Sequence, residues 1–422
     1  MDPTTLKIMA SRILRTMGET GQPPERGALL VNVGTEEYLD LLKEEYLLPI
    51  REARANSTFK LVQAPFGGGK THFLMCFRET AWREGFLTSL VSVSPKECPF
   101  DDLVLIYKKV VSELEAPPER EEVEAEHGIG DVLRAEVEKR RAEAGEEALK
   151  EWIREEIARL RIENHAFRKA ACLFMEAVLD GDSEREALLE SFLRGEDVGA
   201  SEVRSLGVRA VLEENNAFSF LKSLVQLFHG LGAPGLVLLF DEVDRVMSLT
   251  VRRRRTIADN LREMIDACGR SDLPGLVFLY AVPPEFMTTL VPDYPALEQR
   301  LRGASLFSTK SPMSPIIDLD RLPLGPEELF RKIGYRLLAL FQAAHGDTLD
   351  EKIQKKNIQA LAEEMSASQL ESGARRGYVK ALIQMLTEQK REGEKLLGPE
   401  EIASLAGSDG PIPPPLDGEE IF

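Results

Sequence analysis

The sequence predicts an α/β protein in which a parallel sheet is flanked by helices, and three observations support this prediction. The segments "GLVLLFDEVDR" (235–245) and "GLVFLYAV" (275–282) begin with unbroken apolar runs, which are typical of strands buried on both faces of a sheet. The segment "FKLVQAPFGGGKTHFL" (59–74) has the pattern of a strand, a glycine loop and a helix. Much of the remaining chain carries apolar residues at helical spacing.

The bulk composition limits the class of protein. The chain has 422 residues, which favours two or three packed units, and a formal net charge of -18, so nucleic acid would have to be held by a local basic patch. The 4 cysteines form no CxxC pair, which is typical of reduced thiols in a cytosolic protein. The N-terminus lacks a signal-peptide pattern and no apolar run is long enough for a membrane span. We therefore expect a cytoplasmic protein with no membrane span.

The order of patterns along the chain predicts the domain organisation. Helices occupy 1–58, and the first part of the α/β core covers 59–115. A segment rich in Glu, Arg and Ala over 116–200 is a helical insertion, either a solvated arm or a partner-binding arm. The core resumes over 201–322, where "SPIIDL" is a possible fifth strand, and a small helical domain covers 323–400. We expect the acidic, Pro/Gly-rich tail over 401–422 to be disordered.

The loop "APFGGGKT" fits the phosphate-binding pattern, with Ala64 where the first glycine usually stands. Alanine is tolerated there if position 64 does not need a positive φ. Gly67, Gly68 and Gly69 supply the conformations that let backbone N–H groups face phosphates, and the following helix adds its dipole. Lys70 would reach the β- and γ-phosphates. The loop therefore predicts an ATP site, the alternative being a structural glycine turn.

The two residues after Lys70 complete this end of the site. The Thr71 hydroxyl would ligate Mg²⁺. His72 is the next residue on the helix; we include it among the nucleotide-side residues, although packing against the sheet is expected more than catalysis.

An acid pair ends the first buried apolar run. Asp241 is the candidate for the Mg²⁺ shell, and Glu242 is placed to polarise the attacking water. The alternative is that the pair only caps the next turn. Together with the phosphate loop, the pair indicates nucleotide hydrolysis.

These motifs resemble those of AAA+ ATPases, and several stretches resemble the ATP-binding proteins of BREX phage-defence systems, of the BrxD type. The stretches that carry the likeness include "PPERGALLVNVGTEEYLDLL", "GGGKTHFL", "VSPKECPF", "FLRGEDVGASEVRSLGV", "GLVLLFDEVDR" and "VPPEF…PALEQRL". The likeness covers most of residues 20–345. It implies an AAA+ P-loop fold with a C-terminal helical lid, and phage defence as the setting, with DNA and other defence proteins as partners.

The resemblance also implies roles for single residues. Val33 and Gly34 match the adenine-contacting segment, although Thr35 stands where a basic residue is usual. Arg300, with Arg302 as the alternative, matches an arginine finger that would act in trans within a homo-oligomer. In "GARRGYVKAL", Arg376 fits the sensor-2 spacing best and Arg375 next.

One departure from the family pattern concerns turnover. Pro283 stands where related proteins carry a small polar sensor-1 residue, and it has no side-chain donor. Unless a neighbour such as Tyr280 substitutes for it, hydrolysis would be slow.

A row of four basic residues follows the acid-pair loop. Arg252, Arg253, Arg254 and Arg255 are the best candidates for a nucleic-acid contact in this acidic chain, the alternative being a solvated helix start. Consecutive residues point all round a helix, so not all four can face one partner. Two functions stay open: an ATPase that acts with DNA and other defence proteins, and a nucleotide-gated scaffold with little turnover.

Overall fold

The computed structural model describes residues 2–94, 98–119, 126–241, 249–270, 272–302, 305–346, 349–366 and 373–407. The chain divides into two compact units. We call Tyr38–Val62 with Thr80–Ile317 the sheet unit, and the described residues of Met1–Glu37, Gln63–Glu79 and Asp318–Phe422 the loop-and-lid unit.

The strands are β1 (Ser57–Gln63), β2 (Leu87–Ser92), β3 (Leu114–Glu115), β4 (Leu236–Asp241), β5 (Leu276–Val282) and β6 (Ile316–Asp318). They form one sheet in the order β3-β2-β4-β5-β1-β6. The pairs β2–β4 and β4–β5 are parallel, and β3 pairs with β2 in the antiparallel sense. Every residue of β4 and β5 is buried, which agrees with the unbroken apolar runs that predicted them.

The helices that precede the last strand are α1 (Pro3–Thr20), α2 (Glu36–Leu42), α3 (Leu48–Arg51), α4 (Lys70–Arg83), α5 (Leu103–Ser112), α6 (Gly128–Ala144), α7 (Glu146–Glu155), α8 (His165–Asp180), α9 (Ser183–Leu193), α10 (Ala200–Ser205), α11 (Ala217–Gly230), α12 (Val251–Gly269) and α13 (Pro295–Leu301). Those that follow it are α14 (Pro326–His345), α15 (Glu351–Ser366), α16 (Ala374–Glu392) and α17 (Pro399–Gly407). Short 3-10 turns lie at Ala28–Val31, Ile157–Arg159 and Val291–Asp293, and π-helical turns at Lys43–Leu47 and Phe286–Leu290.

The helical insertion packs into the core of the sheet unit. Phe220 on α11 lies at the centre of an aromatic cluster with Tyr107, Phe167 and Phe192, whose ring centroids are 5.6, 5.8 and 6.0 Å from its own. The Tyr107 hydroxyl also donates to the Leu193 carbonyl at 2.6 Å. Because α8 and α9 supply two of these rings, the described part of the insertion is anchored by burial, and it is not a projecting arm.

The loop-and-lid unit has a separate core in which the N-terminal helix takes part. Buried side chains of α1 pack in one cluster with those of α14, α15 and α16. The sequence placed α1 with the other N-terminal helices, because its apolar stripe does not reveal which partner covers it. The described helices include none that is long and apolar enough to cross a membrane.

The C-terminal tail differs from its prediction over its first residues. Residues 399–407 form α17, in which Ile402 and Leu405 are buried against the helical core. Glu400 and Glu401 in the first turn favour a helix start. The acidic composition predicted disorder from 401 because it does not show that two apolar residues one turn apart find a core. Residues 408–422 lie outside the described part of the chain.

Candidate nucleotide-binding site

The phosphate loop joins β1 to α4 and lies in the loop-and-lid unit. Gly67 and Gly69 have φ values of +74° and +93°, a region that favours glycine. Gly68 is needed for space, because a Cβ there would lie 2.8 Å from the Ala64 Cβ and 2.9 Å from the Pro65 carbonyl oxygen. Ala53 is the one non-glycine residue with a positive φ in the described part of the chain, so Ala64 has an ordinary backbone.

Lys70 is held inside the loop that precedes it. Its ammonium donates to the carbonyl oxygens of Ala64 at 2.9 Å and Pro65 at 3.1 Å, and its side chain is only 6% exposed. These contacts place a positive charge beside the first turn of α4, where backbone N–H groups lack partners within the helix. The arrangement can bind an anion such as a phosphate group.

Thr71 and His72 follow Lys70 in the first turn of α4, and both are half-buried. The Nε2 atom of His72 lies 3.5 Å from the Sγ atom of Cys76 on the same helix. Burial, with a smaller contribution from the charge of Arg375, lowers the pKa of His72 to about 4. The imidazole is therefore neutral at pH 7 and adds no charge to the site.

The start of α16 contacts the phosphate loop at three places. A Cβ on Gly67 would lie 2.9 Å from the backbone nitrogen of Gly373, and Arg375 donates from Nη1 to the Gly68 carbonyl oxygen at 2.5 Å. The guanidinium of Arg376 lies 5.5 Å from the centre of the Phe66 ring. The sequence favoured Arg376 as the residue nearest the phosphates; the structure brings Arg375 to the glycines, because the first turn of α16 directs it there.

The segment with Val33 and Gly34 lies in the same unit. Gly34 has a φ of +87° and donates its N–H to Glu36, while Thr35 donates to Asn32 at 2.6 Å. Thr35, the departure from the usual basic residue, therefore serves a buried turn.

A residue that sequence reasoning missed connects this segment to the phosphate-loop helix. The carboxylate of Glu79 on α4 accepts from the N–H groups of Ala28 and Leu29, at 2.9 and 3.1 Å, and so caps the turn before Val33. No local pattern marks Glu79, because its partners lie about 50 residues away.

Asp241 lies in the sheet unit at the end of β4. It is 5% exposed, and its carbonyl oxygen accepts from the Val93 N–H at 2.9 Å. Carboxylate and hydroxyl oxygens are each of the kind that Mg²⁺ takes as ligands, so Asp241 and, in the other unit, Thr71 fit this ion by their donor chemistry. Glu242 lies outside the described residues.

Arg300 is engaged within its own unit. Its guanidinium makes two hydrogen bonds to the Asp266 carboxylate, at 2.5 and 2.8 Å, and a third to the Ala296 carbonyl. The Arg300 partner lowers the pKa of Asp266. Arg302 is more open, with 77% of its side chain exposed and one i,i+4 pair to Glu298.

The four consecutive arginines begin α12 and point in different directions. Arg252 and Arg255 are exposed, whereas Arg253 forms two hydrogen bonds with Asp101, at 2.7 and 2.9 Å. Arg254 is half-buried. The exposed arginines of this row are therefore Arg252 and Arg255.

Pro283 and Tyr280 lie at the end of β5. Pro283 is buried directly after the strand. The Tyr280 ring is fully buried among the rings of Phe100, Phe240, Phe278 and Phe286, and burial raises its pKa well above the usual range. Tyr280 is thus a core residue.

The model of one protein family, BREX system ATP-binding protein BrxC/D, matches residues 9–395. The chain belongs to this family. The match spans the phosphate loop, β4 and the helical segment that contains α14 to α16, so both compact units are part of it. No curated protein and no solved structure matches the chain. As a BrxC/D family member, the protein is an ATP-binding protein of the BREX phage-defence system.

Proposed function

We propose that this BrxC/D family protein hydrolyses ATP with Mg²⁺ as an AAA+ ATPase, acting with DNA and other defence proteins. The observation that carries the proposal is the phosphate loop, with Gly67 and Gly69 at positive φ and the Lys70 ammonium drawn into the loop. Two further features support the AAA+ assignment. The sheet carries an acid at the end of β4, and a helical segment follows β6.

The roles of the residues follow from their chemistry. Lys70 neutralises phosphate charge, and the N–H groups at the start of α4 hold the phosphate oxygens. As the family resemblance implies, Thr71 and Asp241 would hold Mg²⁺, which when bound would offset the negative charge of the phosphates. Glu242 aligns and polarises the attacking water. Val33 and Gly34 lie on the adenine side.

The proposal is tested by measuring ATP binding and steady-state hydrolysis in the wild type and in four variants. Lys70→Ala should lose ATP binding, because it removes the cation of the loop. Glu242→Gln should still bind ATP and hydrolyse it roughly 100-fold more slowly or worse, because an amide does not activate water. Lys356→Ala and Glu285→Gln, both at exposed positions, are the matched controls. Hydrolysis that survives in Lys70→Ala would overturn the proposal.

A second candidate function is a nucleotide-gated scaffold with little turnover. The observation that favours it is the end of β5, where Pro283 has no side-chain donor and Tyr280 is enclosed by other aromatic rings. Tight ATP binding, with no hydrolysis in the presence or absence of duplex DNA, would establish this function in place of the ATPase.

Arg302 fits the role of the trans-acting arginine finger better than Arg300 does. A finger must leave its own subunit's partners to reach a neighbouring nucleotide. The two hydrogen bonds to Asp266 hold Arg300 in place, whereas Arg302 is exposed. This assignment requires a homo-oligomer, which particle size with and without ATP and Mg²⁺ would test.

A further inference from the structure

The start of α16 supports one peptide unit of the phosphate loop. Arg375 donates to the Gly68 carbonyl oxygen at 2.5 Å, and a Cβ on Gly69 would lie 2.9 Å from the same Nη1 atom. The guanidinium therefore lies against the peptide that joins Gly68 to Gly69. The described residues contain no cis peptide, so this peptide is trans.

The trans geometry fixes where the Gly69 N–H points. In a trans peptide, the C=O and the next N–H point in opposite directions. When Arg375 holds the Gly68 carbonyl, the Gly69 N–H is directed away from Arg375. A residue with positive φ, such as Gly69, turns successive N–H groups into an anion-binding concavity. The arginine thus lies on the opposite side of this peptide from the group that would face a phosphate.

The surroundings make the contact strong enough to matter. Burial lowers the pKa of Arg375, and Asp320 opposes this effect through its charge. A hydrogen bond from a charged donor in a partly buried place is stronger than one between neutral groups at the surface. Gly373 packs against Gly67 one residue earlier in the loop, so α16 supports the loop at neighbouring positions.

We propose that Arg375 is a positioning residue that holds the Gly68–Gly69 peptide in its phosphate-binding orientation. Its effect is therefore on the phosphates that the loop itself holds, which ADP and ATP share. An arginine that contacts the γ-phosphate would instead affect ATP alone. The inference rests on the proposed nucleotide site, and it names Arg375 as a residue that controls the affinity of that site for the phosphates.

The first test uses the nucleotide-free protein, so that it does not depend on nucleotide binding. In Arg375→Ala, hydrogen exchange of a peptide covering 64–74 should be faster than in the wild type, because the loop loses one of its supports. Arg391→Ala, an exposed residue at the other end of α16, is the matched control and should leave exchange unchanged. Unchanged exchange in Arg375→Ala would overturn the inference.

The second test compares dissociation constants for ADP and ATP. Arg375→Ala should weaken both nucleotides alike, by roughly tenfold, which corresponds to about 1.4 kcal/mol. Arg375→Lys keeps one cationic donor and should show a smaller loss, again equal for both nucleotides. If Arg375→Ala melts at a much lower temperature than the wild type, the ADP and ATP dissociation constants of Arg375→Lys are compared with those of the wild type instead.

Two results would contradict the inference. A loss confined to ATP in the Arg375 variants would mean a direct γ-phosphate contact and would overturn the inference. Equal affinities in Arg375→Ala and the wild type would overturn it as well. A wild-type protein that binds neither nucleotide would overturn the proposed function, while the exchange test would still report on the loop.

Discussion

The Lys60 ammonium donates to the hydroxyl oxygen of Tyr46 at 2.6 Å, inside the sheet unit. It also donates to the Ser314 carbonyl at 2.8 Å and lies 4.2 Å from the centre of the Tyr46 ring and 5.1 Å from that of Phe307. These partners are all uncharged, and Lys60 is only 2% exposed. Burial lowers the pKa of Lys60 to about 7.

The stability of the protein should therefore rise with pH through the range in which Lys60 titrates. Above pH 7 the folded state releases this proton, while the unfolded lysine keeps it up to about its ordinary pKa of 10.5. The unfolded state then binds more protons, so the free energy of unfolding increases with pH by up to about 1.4 kcal/mol per unit. Melting temperatures measured from pH 6.5 to 9.5 would show the rise.

Lys60→Met is the control, because it removes the titrating group and keeps an apolar side chain of similar length. The difference in melting temperature between wild type and Lys60→Met should change in favour of the wild type as pH increases. Parallel pH profiles for the two proteins would contradict the prediction.

The space around Gly67 predicts an unusually harmful alanine substitution. Gly67 has a positive φ and would place a Cβ 2.9 Å from the Gly373 nitrogen, whereas Gly181 is left-handed, with a φ of 69°, but a Cβ there would meet nothing within 4 Å. Gly181→Ala should cost only the backbone strain, about 1 kcal/mol. Gly67→Ala should cost more in its own unit and disturb the loop. Thermal melting and hydrogen exchange of the 64–74 peptide compare the two; equal effects would contradict the packing argument.

The Arg300–Asp266 pair predicts a structural role that separates Arg300 from Arg302. Arg300→Ala and Asp266→Asn should each lower the free energy of unfolding by about 1 kcal/mol, and the double variant should lose less than their sum. The stabilisation should also fade as pH drops through the carboxyl range, since the pair lowers the pKa of Asp266.

Arg302→Ala should leave stability nearly unchanged, because the side chain is exposed. If Arg302 acts in trans, this variant should slow ATP hydrolysis at protein concentrations that support assembly. A large loss of stability in Arg302→Ala, or none in Arg300→Ala, would reverse the two roles.

The start of α12 predicts which arginines affect DNA binding. A double Arg252→Ala and Arg255→Ala variant should weaken duplex DNA binding. It should also make the slope of log K against log salt concentration shallower by up to about two, since each arginine can neutralise about one phosphate. Arg253→Ala should have a smaller effect on binding, because Arg253 already pairs with Asp101. Affinities measured at several salt concentrations give the slopes, and unchanged slopes in the double variant would exclude this patch.

Much of the fold could be predicted from the sequence because local patterns encode it. The buried strands β4 and β5 follow from unbroken apolar runs, β6 from "SPIIDL", and the helices α14, α15 and α16 from their apolar spacing. The phosphate loop could be predicted for the same reason. Glycine spacing, a following lysine and a helix start lie within one short stretch, and glycine is the residue type that permits the positive φ found at Gly67 and Gly69.

Contacts between distant segments needed the tertiary structure. Arg375 and Arg376 are adjacent in sequence and alike in chemistry, and only the position of α16 brings Arg375 to the Gly68 carbonyl. Likewise, the sequence shows a lysine at position 60, but it does not show that Tyr46 and Ser314 enclose its ammonium.

The sequence by itself thus determined the α/β class, the phosphate loop and the resemblance to the BREX ATP-binding proteins, because residue type and spacing carry this information. The tertiary structure decided which arginine holds the Gly68 carbonyl, that Arg300 is held by Asp266, and that the described part of the insertion is packed into the core. Those outcomes depend on which side chains from remote segments share one space, and packing in three dimensions alone sets that.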